Sequence, residues 1–535
     1  MTTQLTTQPG RSRGNSSRTT LGAVAGLLTA AVALGVAQLV AGITGPQGSP
    51  VVAVGRTAID TTPRPVTDFA IKIFGTHDKL VLLSGIVLVL ALFAAGFGAA
   101  SVRRLGAGMT GLAVFAAVGL IAVMTRPDFT PANVAPTLVG AAAGAFTLAR
   151  LSKAAAPGRD TPAPSRDTPV PDRQAAVLSS QGRRAFLVSG AAAAAAAAAG
   201  GVLGSLLSQR TSVSRSRALV HIPRPARPAS PLPAGADFKI PGLSPFVTPN
   251  ARFYRVDTAL LLPQVPPGSW RLRIHGMVNR EIELSFDDLL RRPLTEADIT
   301  LCCVSNPVGG PYISNTRWLG VRLADVLRQA GIRAGADQLL TTSADGYTSG
   351  TPVAAVMDGR NALLAVAMDG APLPIAHGFP VRMIVPGLYG YVSATKWITD
   401  VNVTTFAAEQ GYWVHQGWAA QGPVKTQSRI DVPTGAVTLK PGHVTVAGVA
   451  WAQHRGVAAV QVRVDRGPWH EARLAAVPDI DTWRQWAWDW QAAAGTHHLQ
   501  VRATDETGYT QTPQAASPFP DGATGWHTVT VTVSA

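Results

Sequence analysis

Five long stretches without a charged residue limit this chain more than anything else in it. They run at roughly 21–43, 80–100, 105–124, 133–149, and from just after Arg184 to about Ser208. About 20 residues at roughly 1.5 Å rise cross a hydrocarbon core of about 30 Å, so each stretch is long enough to span a bilayer. The segments before the first (Arg11, Arg13, Arg18), between the second and third (Arg103, Arg104) and between the fourth and fifth (Arg150, Lys153, Arg159, Arg166, Arg173, Arg183, Arg184) are basic. The positive-inside rule makes all three cytoplasmic, and five crossings then leave the chain after Ser208 outside the cytoplasmic membrane.

The net charge of +15 is of the same topological kind. The cations flank apolar runs or lie scattered rather than forming a stripe, so nucleic acid is not an expected partner. Arg183, Arg184, Phe186 and Leu187 open the fifth stretch like a twin-arginine export signal, with a weakly hydrophobic alanine run behind them. No small-x-small cleavage site follows, which favours a retained anchor.

The expected organisation is a four-helix transmembrane region over 1–151, a cytoplasmic linker over 152–182 and a signal or anchor helix over 183–208. A Pro-rich linker over 209–235 follows, then a mixed α+β domain over 236–425 and a β-sandwich over 426–535. Within 270–400, β-like runs (Trp270 to His275, Val381 to Val385) alternate with helical patterns such as Leu323 to Ala330. From about 440, alternating segments separated by turn signals give an immunoglobulin-like signature. Trp486, Trp488 and Trp490 at period two predict one buried strand face.

Two neighbouring cysteines, Cys302 and Cys303, are all the chain has, so a disulfide framework is excluded and a strained vicinal bridge is the sole intramolecular pairing left. They stand before Val304, Ser305, Asn306, Gly309 and Gly310, in a loop that lets a bulky group approach the backbone. A thiolate there suits a metal, although two buried cysteines acting as small hydrophobes fit these residues equally well. A second cluster holds His377, Pro380, Arg382, Pro386, Gly387, Tyr389, Gly390, Tyr391, Ser393, Thr395, Lys396 and Trp397. A guanidinium fork, an ammonium and hydroxyls held by glycines and prolines fit a dianionic phosphate. Two further segments, Asn250 to Asp257 and Asp345 to Gly350, say little alone.

Taken in order, these segments resemble the sulfite-oxidase-like molybdopterin oxidoreductases over roughly 236–535: Asn-x-x-Phe-Tyr at 250–254, the cysteine loop, His-Gly-x-Pro-x-Arg at 377–382 and Ser-x-x-Lys-Trp at 393–397. The resemblance implies molybdenum held by the cysteine directly before Val304, which selects Cys303 and leaves Cys302 a packed spectator. It implies a single pterin held by Asn250, Phe253, Tyr254, Asp345, His377, Arg382, Ser393, Ala394, Thr395 and Lys396. It also implies oxygen-atom transfer on a small sulfur-oxo substrate, one-electron exchange with a cytochrome or quinone partner, and a homodimer through the sandwich.

Departures bear on the substrate. Val308 stands where animal and plant sulfite oxidases carry an arginine, and Trp418 aligns with their tyrosine. Arg255 keeps part of the cationic recognition, so Cys303, Arg255 and Trp418 are the expected catalytic residues, with oxidation and reduction both open. Haem is not expected, because His77 alone precedes His221 and axial histidines are missing from the apolar stretches. The competing reading is a cofactor-free envelope scaffold that keeps the fold for binding.

Overall fold

The computed structural model describes residues 13–62, 66, 78–126, 129–155, 180–210, 213–435 and 437–534. His77 and the linker stretch 156–179 lie outside the described residues. The chain divides into two compact units, Met1–Ser212 and Val213–Ala535.

The first unit is helical, with helices Arg13–Thr44, Asp78–Ser101, Leu105–Met124, Ala135–Ala155 and Ser180–Arg210. Each contributes to one of five spans long and apolar enough to cross a membrane. A short helix, Pro50–Thr61, was not anticipated; its proline sits in the first turn, where no backbone donor is lost. Arg13–Thr44 is the centre of the bundle and packs on three others. Where it meets Ser180–Arg210 the backbones nearly touch: a Cβ added at Gly35 would lie 2.5 Å from the Ala197 carbonyl oxygen, and one at Gly204 2.5 Å from that of Gln38. Small residues allow such approach, and in an apolar solvent the resulting dispersion contacts supply much of the association. The twin-arginine-like helix is thus one of the bundle's own packed members.

The second unit joins an α+β part to a β-rich part. Ten strands build the first: β1 (Arg271–Gly276), β2 (Ile282–Ser285), β3 (Leu294–Cys302), β4 (Ile313–Arg322), β5 (Gln338–Ser343), β6 (Thr348–Pro352), β7 (Leu363–Met368), β8 (Ala371–Pro372), β9 (Arg382–Ile384) and β10 (Ile398–Thr404). One sheet runs β2-β1-β10-β5-β6, and the other runs β3-β4-β7-β8 with β9 on β7. Strand β7, Leu-Leu-Ala-Val-Ala-Met, is buried at every position, so its sequence shows no alternation. Helix Leu323–Ala330 has the predicted bounds and stops at Gly331 in the left-handed conformation.

Nine strands build the second part: β11 (Gln427–Val432), β12 (Thr438–Leu439), β13 (Gly442–Trp451), β14 (Val457–Val464), β15 (His470–Glu471), β16 (Arg473–Leu474), β17 (Arg484–Ala492), β18 (Gly495–Asp505) and β19 (His527–Val533). They form sheets β11-β13-β17-β16 and β12-β19-β18-β14-β15, which share one apolar core. Trp486 and Trp490 are buried in that core and Trp488 packs at its edge, as the period-two spacing predicted. Val449, Trp451 and Trp483 cross over into the core of the α+β part.

One expectation is corrected. The segment 213–235 is no free linker: Arg217 donates to the carbonyls of Leu373 (2.7 Å) and Pro372 (2.6 Å), Arg227 bridges Thr295 on β3, and Val213 is buried with Phe253 and Trp318. Its prolines suit an extended strap along the folded domain, where few backbone donors are needed.

Candidate active site

Strand β3 ends at Cys302, and the chain then turns sharply. Cys303 donates its amide to the Tyr312 carbonyl (2.9 Å), the Asn306 amide returns to the Cys303 carbonyl (3.1 Å), and the Asn306 side-chain oxygen accepts from the Tyr312 amide (2.8 Å). Both cysteines are free thiols, and their surroundings differ. Cys302 lies in the core with Val304, Tyr389 and Tyr391. The Cys303 sulfur lies 2.9 Å from the Ser305 hydroxyl. Burial pushes the Cys303 thiol up, while the Ser305 hydrogen bonds and the Lys396 charge pull it down. Cys302 is pushed up by burial and by the neighbouring Cys303.

Lys396 and Arg382 are both buried. The Lys396 ammonium donates to an Asp257 carboxylate oxygen (2.9 Å), and Arg255 donates to the same oxygen (2.8 Å). Arg382 lies over the Trp318 ring at 5.5 Å. Burial lowers Lys396 to about 8 and Arg382 to about 10. Burial, with Arg382 and Lys396 alongside, holds His377 down at about 3, so this imidazole stays neutral at ordinary pH and can act as a donor but not as a cation. Two buried cations, Arg382 and Lys396, stand beside a single buried carboxylate, Asp257, which Lys396 shares with the exposed Arg255, so the buried part of the cluster carries a positive excess.

Phe253 ties the cluster together, with ring centroids 5.5 Å from Tyr254, 5.6 Å from Trp318 and 5.5 Å from His377. Asn250 donates to the Met368 carbonyl (3.0 Å), and Ala394 packs in the cluster that contains Phe253. The Thr395 hydroxyl meets that of Thr341 at 2.7 Å. Ser393 is spent on its own loop, donating to the Leu388 and Tyr389 carbonyls at 3.0 Å each. Asp345 accepts from the Ser343 hydroxyl in the turn before Tyr347. Trp418 falls in a different group, with Tyr391 (6.1 Å), Trp413 (6.3 Å) and Phe519 (5.4 Å).

Several residues escaped the sequence reading. Asp257 anchors Lys396 and Arg255, yet a lone acid in a loop carries no signal. Ser305 stood in the cysteine loop, but its hydroxyl contact with the Cys303 sulfur shows only in the folded turn, and Trp318 acts through contacts with Phe253 and Arg382 from distant segments. Tyr347 lies within electrostatic reach of the Cys303 thiol, and its phenol is pushed far above the usual range, first by burial and then by that thiol.

Comparison with known proteins gives these residues a setting. Residues 259–413 match the family model described as the oxidoreductase molybdopterin binding domain. The chain is 32% identical to mitochondrial sulfite oxidase of Mus musculus over 345 residues, covering 54% of this chain and 62% of that protein. It is 31% identical to sulfite oxidase of Gallus gallus over 335 residues, covering 53% of this chain and 72% of that protein. This chain belongs to the sulfite-oxidase-like molybdopterin oxidoreductase family. An oxidoreductase of Bacillus subtilis, YuiH, matches at 32% over 153 residues, 29% of this chain and 74% of its own. The chain spans 62% of the mouse protein's length.

The residues present fit the family's cofactor. Asn250 Oδ1, His377 Nδ1 and Arg382 Nε are buried polar atoms without a hydrogen bond in the protein, an arrangement that is costly unless a polar ligand completes it. A phosphate-bearing heterocycle supplies acceptors for a guanidinium and an imidazole, and Cys303 supplies a soft ligand. No group of three or more His, Cys, Asp or Glu gathers as a metal site among the described residues, so a metal here relies on the cofactor for its other ligands.

Proposed function

We propose that this chain is a membrane-anchored molybdopterin-dependent oxidoreductase acting on a small sulfur-oxo substrate outside the cytoplasm. The buried cations Arg382 and Lys396, with the exposed Arg255 sharing Asp257 with Lys396 and the Lys396 charge within electrostatic reach of the Cys303 thiol, carry this reading. The molybdenum-pterin group, when bound, supplies oxygen-atom transfer and passes electrons on singly.

The chain's own residues do the rest. Cys303 binds the metal as thiolate, with Ser305 orienting the sulfur. Arg382 forks onto the phosphate, Lys396 offers a compact charge, and His377 donates a neutral N–H. Asn250, Phe253, Tyr254, Asp345, Ser393, Ala394 and Thr395 wall the pterin site and exclude water. Arg255 and Trp418 face the substrate side; with Val308 in the loop, Arg255 is the remaining exposed cation of the cluster. The five apolar helices anchor the protein, the basic loops set its topology, and a separate cytochrome or quinone exchanges the electrons. The sandwich, read as immunoglobulin-like, pairs two copies.

The test uses full-length protein in detergent from a cofactor-competent host. Molybdenum and pterin stoichiometric with the chain are expected, with turnover of sulfite or of methionine sulfoxide using artificial electron carriers. Protein lacking both metal and pterin would favour the scaffold reading instead.

A further inference from the structure

We propose that Arg429, on β11 of the sandwich, is a positioning residue that clamps the Cys303 loop from the C-terminal side. This inference rests on the reading of Cys303 as metal ligand, but its geometry stands by itself.

The loop closes on itself near the thiol and leaves its far end to other segments. Internally, the Asn306 amide bonds to the Cys303 carbonyl and the Gly310 amide to that of Pro307 (2.9 Å). The Gly310 carbonyl is taken by Arg429, whose Nη1 donates to it at 2.8 Å. The same guanidinium donates from Nη2 to the Ser244 hydroxyl (2.9 Å) and from Nε to Asp431 (2.6 Å). One largely buried planar cation thus ties the Gly310 and Ser244 segments to its own strand β11, a task its rigid fork performs in full and a lysine only in part.

A second contact comes from the other sheet. Gly309 has φ +74, and a Cβ there would collide with the ring of His527, the first residue of β19. His527 is itself fixed, because its Nδ1 accepts the Ile430 amide from the residue next to Arg429 (3.0 Å). At the near end, Thr300 on β3 is held by Asp481, Gln453 and Trp483: its amide donates to the Asp481 carbonyl (3.0 Å), its carbonyl accepts from Gln453 (3.2 Å) and its hydroxyl accepts from the Trp483 amide (2.7 Å). Movement of Gly310 is passed back through Asn306, which is bonded to both Tyr312 and Cys303. The sandwich therefore sets where the thiol sits.

A matched control exists in Arg455, which bonds to Asp505 (3.0 Å) and to the Val424 carbonyl (2.8 Å) without touching the loop. The test is hydrogen exchange on cofactor-free, full-length protein. In Arg429→Gln the amides of Cys303, Asn306 and Tyr312 should exchange about tenfold faster, as loss of a charge-assisted bond allows local opening. Arg455→Gln should leave those amides unchanged even if its melting temperature falls as far. His527→Ala, a milder change that leaves Arg429's own bonds in place, should give a smaller rise at the same amides.

In loaded protein, Arg429→Gln should lower kcat with KM within about twofold and alter the Mo(V) electron paramagnetic spectrum, with partial rescue by Arg429→Lys. Unchanged loop exchange in both Arg429→Gln and His527→Ala, or equal change in Arg455→Gln, overturns the clamp. So does an Arg429→Gln enzyme with wild-type spectrum and kcat. A wild-type protein that takes up no metal in a competent host would instead overturn the proposed function, and the exchange result would still decide the clamp.

Discussion

At the scale of single residues, the two adjacent thiols give the sharpest contrast. Cys303→Ala should abolish molybdenum retention with little change in melting temperature, whereas Cys302→Ala should keep the metal and cost about 1 kcal/mol or more from the core; elemental analysis and thermal melts check both. Lys396 carries a pH signature. Its pKa, lowered to about 8, means that the buried ammonium opposes folding at neutral pH and is relieved between about 8 and its ordinary value of 10.5. Phosphate binding needs the charged form, so the two effects run in opposite directions. Retention of the pterin should therefore fall as pH rises through about 8 while the cofactor-free protein does not weaken, as equilibrium dialysis and parallel melts would read. The cationic members of this cluster were legible in sequence because Gly, Pro and aromatic residues bracket them. Asp257 was not, since its role depends on a side chain from a distant segment arriving beside it.

Among the elements, legibility followed the burial pattern. Long apolar runs, one-faced helices and strands with one wet face announced themselves, as the five apolar helices, the amphipathic helix Leu323–Ala330 and the tryptophan strand β17 illustrate. Segments whose environment is made by the rest of the fold did not: β7 is buried on both faces, and the strap over 213–235 has the composition of a linker but lies against β3 and β8. The glycine contacts between the helices Arg13–Thr44 and Ser180–Arg210 yield a prediction of their own. Gly204→Leu should force these backbones apart and destabilise the helical unit by about 1–3 kcal/mol, the usual range for overpacking, detected as a lower melting temperature in detergent. An equivalent change at Gly201, where an added Cβ meets nothing, should leave it unaltered.

For the whole molecule, acid is the condition that acts on both halves of the catalytic unit. His377 is held down at about 3 and His527 at about 4, both chiefly by burial, so each stays neutral in the folded protein over a range where the unfolded chain is protonated. Stability should therefore decline as pH falls from about 6.5 towards 4, by up to about 1.4 kcal/mol per pH unit for each histidine, and denaturant melts across that window would show it. His377→Gln with His527→Gln should flatten the slope. The union of the two parts through Arg429, Trp483 and His527 also has a bearing on biosynthesis. At about 5–20 residues per second, β19 leaves the ribosome on the order of tens of seconds after Cys303 does. Until then the cysteine loop lacks the ring against which Gly309 rests, so the site is finished only once β19 has been made, and whatever delivers its metal meets a chain already synthesised through His527.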